Sequence, residues 1–207
     1  MSSREVFSRI ARRYDRLNRI LSLGKDDDWR RTAIVHLPPG RVLDLGAGTG
    51  AANIDLGDRE IVALDPAPEM LALNPAAMRV VGKGEALPFP DETFDGVFSA
   101  YVFRNLDSVT LTLDEIARVL RPGGVAAIVD LGRPESAVKR ALHTMGTAVV
   151  LPAAGASVGA IGEYWYLHKS LGSLPQPAEM YAEAPLTLVE VWRMGPMGFV
   201  YGVVLKK

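Results

Sequence analysis

The order of apolar and polar residues divides the chain into a helical opening and a longer region of short apolar runs. A spacing of three and four residues, which is typical of an amphipathic helix, joins Val6, Ile10, Tyr14, Leu17 and Leu21. Gly24 predicts the end of this helix, and the acidic cluster at 26–28 predicts the cap of a second helix beginning near Trp29. Two prolines and a glycine at 38–40 then end the helical opening.

Beyond residue 40, short apolar runs separated by glycine and proline predict strands, with helical stretches between most of them. The predicted strands are Arg41–Leu45, Glu60–Leu64, Met78–Val81, Phe94–Ser99, Val125–Leu131, Leu186–Met194 and Phe199–Lys206. Alternation with helices such as Val109–Leu120 is typical of a parallel sheet, whereas the last two strands are separated only by a short turn and predict a hairpin. The expected fold is α/β, with a mostly parallel seven-stranded sheet, an antiparallel C-terminal strand and helices on both faces.

Length and composition limit the classes of protein to which the chain can belong. Its 207 residues suit one domain, and the absence of cysteine excludes disulfides and cysteine-based metal sites; we predict no metal. The first residues lack the layout of a signal peptide, so the expected location is cytoplasmic. Residues 1–40 hold nine Lys and Arg against five Asp and Glu, which indicates a solvated helix face or a surface for anionic lipid or an acidic substrate. We expect no nucleic acid as a partner.

A glycine-rich turn after the first predicted strand is the clearest sign of a ligand site. Gly46, Gly48 and Gly50 allow the chain to turn tightly and a ligand to approach the backbone. The spacing also fits a dinucleotide-binding turn, but Asp44 would repel a diphosphate and attract the ammonium and sulfonium of S-adenosylmethionine. The short segment before the second strand weakens the NAD case, because a pyrophosphate uses the start of a helix. Asp65, 19 residues after Gly46, suits the ribose hydroxyls of either cofactor.

Several motifs, in their order along the chain, resemble one enzyme family. They are V-F-S-R-I-A-R-R-Y-D-R-L-N at 6–18, D-L-G-A-G-T-G at 44–50, L-P-F-P-D at 87–91, F-R-N at 103–105, P-G-G at 122–124 and Y-W-Y-L-H-K-S-L at 164–171. Together, over residues 6 to about 175, they resemble the ubiquinone/menaquinone biosynthesis C-methyltransferases. This resemblance implies a Rossmann-like class I methyltransferase fold and S-adenosylmethionine as cofactor. It also implies a small-molecule acceptor, a prenylated quinol methylated on a ring carbon.

The strand ends and the resemblance together give a set of predicted site residues. Those predicted to bind the cofactor are Asp44, Gly46, Ala47, Gly48, Gly50, Asp65, Pro66, Met70, Glu85, Ala86, Ser99 and Tyr14. The predicted catalytic residues are Arg104, to hold a phenolate oxygen, Asn105, to orient it, and Tyr166, beside the methyl-transfer site. The alternative for the tyrosines is plain packing, and for Arg104 it is a surface position.

Within the single domain we expect four parts. They are an N-terminal helical cap (1–37), a cofactor-binding core (38–131), a helical and apolar acceptor cap (132–180) and a C-terminal hairpin (181–207). The acceptor cap contains an uncharged stretch at 144–162, which is either a cover for a prenyl tail or a buried connection.

One position departs from the family pattern. Lys83 stands where an acidic residue usually contacts the adenine amino group, and a lysine cannot accept that hydrogen bond. Lys83 leaves open a non-catalytic binding of S-adenosylmethionine. Together with the short segment before Asp65 and the poor match beyond residue 174, it also leaves open methylation of a different lipid-like acceptor, and the spacing of the glycines leaves open an NAD-type oxidoreductase. A homodimer and a peripheral contact with a membrane also stay open.

Overall fold

The computed structural model describes residues 24–132 and 177–207, together with Arg19, Ser22 and single positions between 134 and 148. Tyr14 and Tyr166 lie outside the described residues, as does most of the uncharged stretch at 144–162. The predicted roles of these residues, and the division of the chain into caps, core and hairpin, stay predictions.

The described elements alternate between strands and helices along most of the chain. In order they are α1 (Asp26–Ile34), β1 (Arg41–Leu45), α2 (Asn53–Leu56), β2 (Glu60–Asp65), α3 (Pro68–Leu71), β3 (Met78–Val81), β4 (Phe94–Ala100), α4 (Val109–Val119), β5 (Leu120–Leu131), α5 (Pro177–Tyr181), β6 (Thr187–Met194) and β7 (Val200–Lys206). A 3₁₀ turn at Phe103–Asn105 follows β4, and a second at Pro196–Gly198 joins β6 to β7.

The sheet has seven strands in the order β3-β2-β1-β4-β5-β7-β6. The pairs among β1 to β5 are parallel, while β7 runs antiparallel to both β5 and β6. This confirms the predicted mostly parallel sheet with an antiparallel C-terminal strand. Because the first five strands are parallel, their carboxyl ends meet at one edge, where open α/β sheets bind ligands.

Two predicted boundaries were wrong in an informative way. Helix α1 begins at Asp26 rather than near Trp29, so the acidic cluster forms its first turn, where negative charge stabilises the amino end of a helix. Strand β5 begins at Leu120 rather than Val125, because Leu120 pairs with Phe94 before an irregularity in the β4–β5 register.

Helices cover both faces of the sheet, so the alternating side chains of a buried strand pack against a different helix on each face. Helix α4 packs Leu113 and Ile116 against the face that carries Leu43 and Leu45. Helix α1 packs Ala33 and Ile34 against the opposite face, which carries Val42. Side chains alternate along a strand, so Asp44 shares the face of Val42 and points towards α1.

Candidate active site

The glycine-rich turn between β1 and α2 is shaped by close packing as well as by backbone conformation. Gly46 has a φ of 72°, and a β-carbon placed on it would collide with the side chain of Val102. Gly50 has a φ of 86°, and a β-carbon there would meet Asn74 and Pro75. No side chain therefore fits at either position without displacing its neighbours.

Asp65 ends β2 and fixes the turn from the other side. Its Oδ2 accepts a hydrogen bond from the backbone N–H of Gly48 at 3.0 Å, and its Oδ1 accepts one from Ala67 at 2.8 Å. Burial raises the pKa of Asp65, and these two hydrogen bonds partly oppose the rise. The carboxylate is thus held at the base of a cavity that opens beside the turn.

The first cavity, of about 460 Å³, lies between the loops that follow β1, β2, β3 and β4. The predicted site residues that line it are Gly46, Gly48, Asp65, Pro66, Met70, Glu85 and Asn105. The other predicted residues that the structure describes do not line it: they are Asp44, Ala47, Gly50, Ala86, Ser99 and Arg104. Gly50 packs on Asn74, and Ala86 is exposed. The cavity offers an apolar wall at Met70 and a carboxylate at Asp65.

The loop after β3 is tied to the start of α4 at the rim of this cavity. Glu85 Oε1 accepts hydrogen bonds from the backbone N–H groups of Asp107 at 2.8 Å and Ser108 at 3.3 Å. Lys83 Nζ pairs with Asp107 Oδ2 at 2.9 Å, and both side chains are mostly exposed. Lys83 therefore pairs with a second carboxylate at the rim of the cavity, that of Asp107.

A second cavity, of about 260 Å³, lies on the α1 side of the glycine turn. Arg30 of α1 contributes to its wall, with a side chain that is only 5% exposed. Arg30 Nη2 pairs with Asp26 Oδ2 at 3.1 Å and also contacts Asp27. Ser22 Oγ donates to the other oxygen of Asp26 at 2.7 Å. Arg30 Nε is buried and has no hydrogen-bond partner within the described part of the chain.

Asp44 lies in the wall of the second cavity, in an environment that disfavours its charge. The residue is 2% exposed, and its Oδ2 has no hydrogen-bond partner among the residues that the structure describes. Burial, with the nearby negative charge of Asp65, raises the pKa of Asp44 to about 7, and Arg30 partly opposes the rise. A buried carboxylate with an unpaired oxygen costs stability unless a cation binds to it.

Tyr101 lies between the two cavities, immediately after β4. It lines both of them and adopts a φ of 63°, a left-handed conformation that is unusual for a tyrosine. Its hydroxyl is buried without a hydrogen-bond partner in the described residues, and burial raises its pKa. Asn105 Nδ2 donates to the carbonyl oxygen of Tyr101 at 3.2 Å, which ties the 3₁₀ turn to this residue.

Neither Ser99 nor Arg104 is among the residues that line the two cavities. Ser99 is fully buried, and its Oγ donates to the carbonyl oxygen of Leu45 at 3.0 Å, so it joins the ends of β1 and β4. The backbone N–H of Arg104 donates to Asp130 Oδ2 at 3.2 Å. Arg104 Nη1 is buried and, in the region described, has no hydrogen-bond partner.

Arg30 and Asp130 were not among the predicted site residues. An arginine one turn after an acidic cluster predicts a fixed ion pair, which is the signal that Arg30 carries. Asp130 carries the same signal as Asp44 and Asp65, which is an acidic residue at the end of an otherwise apolar strand.

This strand order, with a glycine turn between two acidic strand ends, defines a class I methyltransferase fold. The fold is similar to that of an S-adenosylmethionine-dependent methyltransferase from Thermotoga maritima, with a TM-score of 0.70, 19% identity and coverage of 98% of this chain and 99% of that one. The family model described as "ubiE/COQ5 methyltransferase family" matches residues 2–195. The chain therefore belongs to the ubiE/COQ5 methyltransferase family.

Relatives with known names agree with this assignment. The chain is 41% identical over 192 residues to a demethylmenaquinone methyltransferase from Deinococcus radiodurans, across 85% of this chain and 80% of that protein. It is 37% identical over 197 residues to the ubiquinone/menaquinone biosynthesis C-methyltransferase UbiE from Geobacter sulfurreducens, across 86% and 77%. The predictions of a methyltransferase and of S-adenosylmethionine as its cofactor are confirmed. None of the helices that the structure describes has the length and apolar character needed to cross a bilayer.

Proposed function

We propose that this protein transfers the methyl group of S-adenosylmethionine to a ring carbon of a demethylated menaquinol or a closely related prenylated quinol. The observation that carries the cofactor half of the proposal is the pair of cavities that flank the glycine turn. The acceptor half is supported by the names of the relatives, which act in menaquinone and ubiquinone biosynthesis.

The two cavities suit the two ends of the cofactor. The first, with Asp65 and the apolar Met70, suits a ribose and an adenine ring. The second contains the unpaired Oδ2 of Asp44 and the unpaired Nε of Arg30, which are buried groups of opposite charge. An amino-acid zwitterion supplies both missing partners at once, because its ammonium pairs with Asp44 and its carboxylate pairs with Arg30.

The chemistry needs little more than positioning, because the bound cofactor supplies an activated methyl group. Loss of a phenolic proton makes the neighbouring ring carbon nucleophilic; that carbon forms the new bond as the methyl–sulfur bond breaks, and the ring then loses its own proton. We assign Arg104 to hold the phenolate oxygen and Asn105 to fix the turn that presents it. Anion and cation neutralise each other in this step, so exclusion of water favours it.

The residues outside the described part of the chain complete the proposal. Tyr14 and Tyr166 are assigned to the wall beside the transferred methyl group, where an aromatic face attracts a sulfonium. The uncharged stretch at 144–162 is assigned to the prenyl tail. A peripheral membrane contact and a homodimer would suit such an acceptor, and both stay predictions.

An acceptor panel tests this proposal. The purified protein is incubated with S-adenosylmethionine and reduced demethylmenaquinol, a reduced demethylated ubiquinone precursor, or a non-quinone phenol, and products are followed by mass spectrometry. We expect methylation of a quinol, and none when the quinone is left oxidised. No turnover on any reduced quinone would contradict the proposal.

A matched pair of arginine variants tests the role of the turn. Arg104→Ala should lower kcat by about 100-fold or more, as is typical when a charged group that positions the reacting atoms is removed. Its affinity for S-adenosylhomocysteine should stay within about twofold of the wild type. Arg121→Ala is the control, because Arg121 pairs with Asp95 at the opposite edge of the sheet. Full turnover in Arg104→Ala would remove Arg104 from the mechanism.

A further inference from the structure

A second buried carboxylate, that of Asp130, lies near the end of β5 on the face opposite to Asp44. It is completely buried, and in the antiparallel register it pairs with Tyr201 of β7. Tyr201 and Tyr181 are also buried, and their hydroxyl groups lie 3.1 Å apart. Burial of a carboxylate lowers the stability of the fold unless other groups stabilise its charge, so the partners of Asp130 indicate its role.

The partners of Asp130 are mainly the backbone of its own strand end and of the turn that follows β4. Oδ2 accepts from the backbone N–H of Arg104 at 3.2 Å, and Oδ1 accepts from that of Leu131 at 2.7 Å. The backbone N–H of Phe103 also stabilises the charged form. One carboxylate therefore joins the end of β5 to Arg104, in the turn at Phe103–Asn105 that carries the Arg-Asn pair.

The positive charge of Arg104 favours the ionised form of Asp130, although burial disfavours it more strongly. Burial raises the pKa of Asp130, while the positive charge of Arg104 and the three backbone N–H groups oppose the rise. Among the described residues, Tyr101, Tyr181 and Tyr201 are also near it; burial raises their pKa values, and the charge of Asp130 raises them further. The Arg193 guanidinium lies 6.0 Å from the centre of the Tyr201 ring. All three tyrosines are therefore neutral near pH 7.

We propose that Asp130 is the positioning residue for Arg104. It fixes the turn through the backbone N–H of Arg104 and adds a buried negative charge to the surroundings of the guanidinium, while both of its oxygens already accept from backbone N–H groups. Arg104 Nη1 is thus left to bind the acceptor oxygen. This inference rests on the proposed function, in which Arg104 holds the phenolate of the acceptor.

The test is a double-mutant cycle between Asp130→Asn and Arg104→Ala, measured on the full chain with reduced demethylmenaquinol. Asp130→Asn should lower kcat by about 10- to 100-fold, because small displacements of a positioning group cost that much. The affinity for S-adenosylhomocysteine should stay within about twofold of the wild type. In the Arg104→Ala background, Asp130→Asn should lower kcat no further, because residues that act through one another are not additive.

Asp95→Asn is the matched control for a purely structural effect. Asp95 accepts a hydrogen bond from the backbone N–H of Arg41 at 2.8 Å and pairs with Arg121, at the amino-terminal edge of the sheet. This variant should lower the thermal midpoint while leaving kcat per folded molecule unchanged. If Asp130→Asn behaved in the same way, or if its effect multiplied that of Arg104→Ala, the inference would be overturned.

Asp130→Glu provides a second variant in case Asp130→Asn does not fold. It keeps the charge but displaces the oxygens from the backbone N–H groups, so kcat should still fall while cofactor affinity is kept. Full turnover in Asp130→Glu would overturn the inference. A wild-type chain that methylates no quinol would instead overturn the proposed function, so the two failures are distinguishable.

Discussion

Binding of the cofactor should depend on pH through Asp44. Without cofactor, burial holds the pKa of this carboxyl at about 7, compared with an ordinary value of 3.8. Below pH 7 the group is mainly protonated and cannot form an ion pair with an ammonium. A bound ammonium lowers the pKa, so binding below pH 7 releases a proton and becomes tighter as the pH rises.

The size of the effect follows from the pKa. Affinity should increase about tenfold per pH unit up to pH 7 and then level off, which gives about 30-fold between pH 5.5 and pH 8. A shift of about three units corresponds to about 4 kcal/mol as an upper limit on the cost of the buried charge. Because the folded pKa is the higher one, the contribution of Asp44 to the free energy of unfolding falls as the pH rises from about 4 to about 7.

Calorimetric titration with S-adenosylhomocysteine measures both the affinity and the proton release. Titrations at several pH values, in buffers of different ionisation enthalpy, should show about one proton released near pH 6. Asp44→Asn should bind more weakly, lose the pH dependence and unfold at a higher urea concentration at pH 8. Asp95→Asn is the control, since backbone and Arg121 hydrogen bonds lower the pKa of Asp95. A pH dependence that persists in Asp44→Asn would contradict this role of Asp44 and assign the effect to another group, such as Asp65.

Three further predictions concern the walls of the cavities. In titrations, Arg30→Met should weaken binding of S-adenosylhomocysteine by about 10-fold or more and leave the binding of adenosine unchanged. Substitution of the exposed Arg31 by Met should change neither affinity. If Arg30→Met lost both affinities equally, Arg30 would not act at the amino-acid end of the cofactor. Gly46→Ala should abolish cofactor binding because the new methyl group collides with the side chain of Val102. Adding Val102→Ala to the same chain should partly restore binding. If it did not, backbone strain at residue 46 alone would explain the loss of binding. Lys83→Met should change the affinity for S-adenosylhomocysteine by less than about fivefold, because an exposed ion pair contributes about 1 kcal/mol at most. A larger loss of affinity would indicate that Lys83 contacts the adenine directly.

Much of the fold follows from the order of apolar residues, because each strand is a run rich in apolar residues and bounded by turn residues. All seven strands, and the reversed direction of β7, could be predicted in this way. The start of β5 could not be predicted, because the strand continues through a proline and two glycines that favour a turn locally. The strand starts before them because Leu120 pairs with Phe94, which is a tertiary contact, and the ladder resumes at Val125 after an irregularity in which Gly123 has a φ of 80°.

In the candidate site, too, some features could be predicted from the sequence and others depend on tertiary packing. Asp44 and Asp65 could be predicted because an acidic residue at the end of an apolar strand is conspicuous in the sequence. The partnership of Asp44 with Arg30 could not be predicted, because it depends on which face of the sheet α1 covers. The position of Ser99 behind the cavity has a similar cause: the sequence places it at the ligand edge, but only the packing shows that its hydroxyl binds the carbonyl of Leu45.

The most direct test of the proposed C-methylation of a quinol is to follow the methyl group itself. The purified chain is supplied with methyl-deuterated S-adenosylmethionine and reduced demethylmenaquinol, and the product is analysed by mass spectrometry and nuclear magnetic resonance. The proposed function predicts one product, with the intact labelled methyl group on the ring carbon next to a phenolic oxygen. A label on oxygen, or a bound cofactor that transfers no methyl group to any quinol, would contradict it.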